Sequence, residues 1–159
     1  MIWTFLSTAV WLICAAGLQA ALSQRLAVGW AQPDFLLIAA VILSLQRSPQ
    51  AASATGFFAG LFSGALLNER MTALVISRTL VCVLSVKVYS AFLGRGALTA
   101  AVVTAVATLA AGVIYLLLAL EKDILGWLAD TMGAAIYNGV VAVPAYGLHR
   151  WLSRAPSRG

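Results

Sequence analysis

The chain has 159 residues, 62% of them hydrophobic and 9% charged, with a mean hydropathy of +0.97 and a formal charge of +5. Ordinary soluble domains carry about 25% charged residues, so there are too few polar groups here to cover a water-exposed surface, and lipid is the expected solvent. The ten Lys and Arg stand singly between apolar runs rather than on one face, which argues against nucleic acid and for a role in membrane orientation.

Charges, prolines and polar clusters divide the sequence into six apolar runs, read as the spans of one all-α integral membrane bundle over residues 1–152 with a short basic tail at 153–159. The first run, 2–22, lacks a basic leader and is longer than a secretory h-region, so it is expected to stay as a span. Cys14 within it and Cys82 in the fourth run have no CxxC spacing and no neighbouring His, and read as small buried hydrophobes. The second run, 33–46, would rise only about 21 Å against a hydrocarbon core of about 30 Å. It must stand nearly upright, borrow Leu26–Trp30, or dip in without crossing; Pro33 suits its first helical turn.

The third run, 51–67, carries Ala52, Gly56, Gly60 and Gly64 at intervals of four, a small-residue stripe along one helix face. Such a stripe serves packing within the chain or a contact with a second copy or another membrane helix. In the fourth run, 71–93, Arg78 lies about 10 Å below the boundary at the helical rise and needs a partner, for which Asp34 and Asp130 are at comparable depth. An Arg78 pair with either acid would line a polar pocket or a protein contact; snorkelling to the surface is the alternative for Arg78 and the expectation for Lys87. Thr104, Thr108 and Gly112 form a weaker stripe on the fifth run, 97–120.

In the sixth run, 128–152, Pro144 removes a helix hydrogen bond and frees the carbonyl of Val140, predicting a kink or a locally opened turn. Tyr137 and Asn138 precede it, and Asn138 must find a partner inside the bundle or on a ligand. His149 has no second imidazole or thiolate beside it, so no metal site is expected. Arg150, Arg154 and Arg158 suit contact with anionic lipid or a cytoplasmic partner.

With six spans the positive-inside rule puts both termini in the cytoplasm; if the second run does not cross, only the N-terminus changes sides and the charge count is the same. The inner face receives Arg47, Arg95, Arg150, Arg154 and Arg158, and the outer face Arg25, Arg70, Lys122 and all five acids. Trp30 and Trp127 fall at the outer boundary and Trp3 and Trp151 at the inner one, with Trp11 deep. The chain has no phosphate-binding loop, HExxH, GxSxG or row of mid-membrane acids, which argues against an enzyme, a cofactor or an ion-coupled pump.

Four segments carry a resemblance. Gln32-Pro33-Asp34-Phe35-Leu36-Leu37, Gly56-Phe57-Phe58-Ala59-Gly60-Leu61, Ile76-Ser77-Arg78-Thr79-Leu80-Val81 and Ile136-Tyr137-Asn138-Gly139-Val140-Val141-Ala142 with Pro144 resemble the helices of the rod-shape-determining MreD family. Gly64 stands where that family often has an Asp, and Asn68-Glu69-Arg70-Met71 replaces its Gly- and Pro-rich turn, so no role of that carboxylate carries over. The resemblance implies a non-catalytic component of the bacterial cell-elongation machinery in the inner membrane. Its implied partners are MreC, the MreB filament and the elongation peptidoglycan synthase. The implied fold is similar to the substrate-binding S components of energy-coupling-factor transporters, and a vitamin-binding S component is the alternative function.

Overall fold

The computed structural model describes residues 2–29, 31–67, 70–91, 96–119 and 123–154, with side chains between Leu6 and Ser153. Six helices follow one another: α1 (Ile2–Leu22), α2 (Phe35–Ser44), α3 (Pro49–Leu67), α4 (Met71–Ala91), α5 (Ala97–Ala119) and α6 (Ile124–Arg154). Among the described residues there is no strand beyond an isolated bridge between Val28 and Ala31. Three helices, α3, α4 and α5, are long and apolar enough to cross a membrane.

The architecture is organised around the shortest helix. At 10 residues, α2 rises about 15 Å, half the thickness of a bilayer core, and it packs against all five other helices. Leu36 to Ile38 and Ala40 to Leu45 are buried. A helix so wrapped needs no match to the hydrocarbon thickness, because protein rather than lipid surrounds its ends. The expected extension through Leu26–Trp30 does not occur over the described part of that segment. Val28 and Ala31 exchange backbone hydrogen bonds at 3.0 and 3.1 Å in a tight turn, with Gly29 at a φ of 64° that favours glycine.

Pro33 likewise stands outside the helix rather than in its first turn. Asp34 is the N-cap, its Oδ1 accepting from the Leu37 N–H at 2.9 Å, so helical geometry begins at Phe35.

The small-residue stripe explains the tightest packing. An added Cβ at Gly56 would lie 2.5 Å from the carbonyl oxygen of Arg78, and one at Gly60 would lie 2.5 Å from the Cα of Val75. Both neighbours are backbone, so α4 lies directly on α3 and the stripe is spent inside the chain. At the end of this pair, Arg70 donates to the carbonyl of Ala119 and closes the last turn of α5.

On α5, Leu98, Val102, Val106, Leu109, Val113 and Leu117 point outward, while Ala100, Thr104, Ala107, Thr108 and Ala111 are buried. Helix α6 runs unbroken through Pro144, whose ring lies on the outside. The locally opened turn expected there is absent, since a face without neighbours accommodates the missing bond without unwinding. Cys82 is buried as expected, whereas Cys14 is exposed on α1 and is not a core residue.

A candidate polar cavity beyond the central helix

Because α2 is short, the space beyond its N-terminus is not filled by helix. A cavity of about 270 Å³ occupies it, at the end of the bundle that carries the α1–α2, α3–α4 and α5–α6 connections. All six helices contribute to its walls, with Gln19, Asp34, Arg78, Tyr115, Trp127 and Asn138 among the lining residues.

The floor is a single hydrogen-bonded network built on the orphan N–H groups of α2. A helix start leaves four such donors unpaired, and three of them are met by side chains here. The Asp34 N–H donates to Asn138 Oδ1 at 2.9 Å, the Phe35 N–H to Gln19 Oε1 at 2.7 Å, and the Leu37 N–H to Asp34 Oδ1 at 2.9 Å. Arg78 closes the network from α4, its two terminal nitrogens donating to the two carboxylate oxygens of Asp34 at 3.2 and 2.6 Å. This fork-to-fork geometry is the strongest form of the pair. Arg78 is 4% exposed, while the Asp34 side chain keeps 24%, turned to the cavity it lines.

Asn138 is fully buried and uses both ends of its amide, its Nδ2 donating to Thr108 Oγ1 at 3.1 Å, which in turn donates to the Thr104 carbonyl at 2.9 Å. Chemically the floor is a charge-neutral ion pair ringed by amides and hydroxyls, a set of hydrogen-bond donors and acceptors. Among the described residues no cluster of three His, Cys, Asp or Glu could hold a metal ion.

The predicted residues divide accordingly. Asp34, Arg78 and Asn138 come together. Asp130 does not join them: it lies exposed on the first part of α6, since the N-cap position of Asp34 already points a carboxylate at Arg78. Tyr137 is half-buried and outside the cavity lining, because neighbours on a helix diverge by about 100°. Arg150 is exposed near the end of α6; the Arg154 side chain and Arg158 lie outside the described residues. Gln19 was missed, although it is the one amide in the first apolar run. Trp127 and Thr131 had no signal beyond their place near a boundary.

The opposite end of α2 is held differently. Tyr89 and Tyr146, both buried, share a hydroxyl hydrogen bond of 2.9 Å, and Gln46 Nε2 reaches Tyr146 at 3.4 Å. Arg47, in the α2–α3 connection, donates to Thr8 Oγ1 at 2.6 Å. Partial burial lowers its guanidinium pKa from the ordinary value.

No known family, curated protein or solved structure matches this chain.

Proposed function

We propose that the chain is a non-catalytic inner-membrane scaffold of the bacterial cell-elongation machinery, similar to MreD, which binds MreC and peptidoglycan-synthesis partners through its helix faces. In this reading all six helices lie within the bilayer in an S-component-like bundle. The cavity end faces outward, and the end bearing the α2–α3 connection and the last turn of α6 faces the cytoplasm. The large apolar side chains on the outer faces support the membrane setting.

The observation that carries the reading is a convergence. The four segments that resemble the family lie far apart in sequence, yet their distinctive residues touch one another around the N-terminus of α2. Asp34 pairs with Arg78, Asn138 accepts from the Asp34 N–H, and Gly56 lies against the carbonyl of Arg78. Short motifs of common membrane residues, matched by chance, would have no reason to meet at one centre. The test is deletion and complementation in a rod-shaped host. Loss of rod shape on deletion and recovery of MreC with the tagged protein are expected; unchanged shape with no MreC recovered would overturn the proposal.

A second reading draws on the cavity itself, whose volume and mixed lining suit a small ligand: a vitamin-binding S component. A vitamin co-purifying at near-equal amount would favour it over the scaffold.

A further inference from the structure

The flank of α2 between α1 and α6 is the one side of the central helix that neighbouring backbone does not close. Among the described residues α1 and α6 make no backbone approach to each other. They meet instead at a pair of rings, Trp11 and His149, in an edge-to-face contact with centroids 5.7 Å apart. Alongside this contact runs a cleft of about 90 Å³ whose walls are almost wholly apolar, with Cys14 and Leu18 from α1, Phe35 and Ala39 from α2, and Ala145 from α6. A helix with its side chains is about 10 Å across, so a cleft this slender takes a single acyl chain rather than another helix.

The cleft ends at His149, and there the chemistry changes. His149 Nδ1 is buried and has no hydrogen-bond partner in the protein. Arg47, from the α2–α3 connection, is within electrostatic reach of that ring and makes no ion pair among the described residues. Among the described residues at this end, 6–8, 45–50, 87–91, 96–97 and 146–153, stand Arg47, Lys87 and Arg150 but neither Asp nor Glu. A buried ring nitrogen without a partner, which donates when its tautomer carries the proton on Nδ1, and a cationic end without a counterion ask for the same thing, an anion on the end of a hydrocarbon chain.

We propose that the α1–α6 cleft binds one anionic phospholipid of the inner leaflet. One acyl chain lies against Cys14, Ala39 and Ala145, a phosphate oxygen accepts from His149 Nδ1, and Arg47 supplies the countercharge. The proposal rests on the membrane reading above but not on the identity of the partners.

Native mass spectrometry of the detergent-purified chain, titrated with phosphatidylglycerol or phosphatidylcholine, tests it. One phosphatidylglycerol should be retained with about fivefold preference over phosphatidylcholine, as befits a basic residue at the headgroup level. Arg47→Gln should reduce that preference, His149→Phe should weaken retention of both lipids, and Ala145→Trp, which fills the cleft, should abolish retention of both.

Should Ala145→Trp fail to fold, the wild-type protein decides the matter through Cys14, the exposed thiol lining the cleft. Phosphatidylglycerol should slow its alkylation by a lipophilic maleimide, and phosphatidylcholine should slow it less. Equal retention of the two lipids, undiminished retention by Ala145→Trp, or displacement of the lipid by inorganic phosphate would overturn the proposal. So would a Cys14 cross-link between two copies, which would make the cleft a dimer contact. Failure of the underlying membrane reading would look different: the protein would be recovered as a soluble monomer without detergent.

Discussion

Glycines occur both in the α3–α4 seam and on α1 and α6, the helices that flank the open cleft, and they do opposite things in the two places. At Gly56 and Gly60 the backbone of α4 comes so close that even one methyl group would collide with main-chain atoms. At Gly17 on α1 and Gly147 on α6, an added Cβ would meet nothing within 4 Å. The residue type is therefore no guide to its work; the periodic repetition at intervals of four is. It marks a seam where backbones touch and gain dispersion contacts, whereas isolated glycines on a helix exterior mark surface.

The largest effect that should separate these regions is at Gly60. Gly60→Leu must push α4 off α3, and with it the Arg78 guanidinium off Asp34. Its cost should exceed the ~1–3 kcal/mol of ordinary overpacking, and size-exclusion profiles in detergent should show loss of the monodisperse protein. Next comes Arg78→Leu, which leaves the Asp34 carboxylate beside a buried site without its partner. Stability should fall by about 3–5 kcal/mol, read as thermal unfolding followed by circular dichroism.

Asn138→Ala should cost less, about 1–3 kcal/mol for the unpaired Asp34 N–H, and the same melting assay would show it. Smallest of all, Gly17→Ala and Gly147→Ala should leave the melting temperature unchanged or raise it, since alanine in an open helix position is favoured by up to ~1 kcal/mol. A large destabilisation at Gly17 would remove the contrast between seam and surface.

Much of this arrangement was legible in the sequence, and the reasons are physical. An arginine seven residues into an apolar run either pairs with an acid or snorkels to the surface, and the acids at comparable depth were few, so Asp34 was within reach. What decided between Asp34 and Asp130 was invisible there. Asp34 caps α2, and a cap fixes a carboxylate at a helix N-terminus in a way that mere depth does not. The stripe of Ala52, Gly56, Gly60 and Gly64 announced close packing but not against which helix, because every neighbour in a bundle is apolar. The second run stood out in the sequence by its shortness, and its helix is the shortest of the six. That it is the centre of the bundle, with a cavity in the space it leaves, depends on contacts from all five other helices, and no local pattern encodes those. Gln19 escaped notice because one amide in a long apolar run looks like noise until its partner, the Phe35 N–H, is placed beside it.

The network at the N-terminus of α2 is the centre of the account, and a double-mutant cycle between Arg78 and Asp34 tests it most directly. Arg78→Leu and Asp34→Asn, the latter keeping a side chain able to cap α2, should be measured singly and together by thermal unfolding in detergent. Coupling of about 1–3 kcal/mol is expected, with the double variant more stable than Arg78→Leu alone because the stranded carboxylate is gone. Strictly additive losses, with the double variant the least stable of the three, would contradict it.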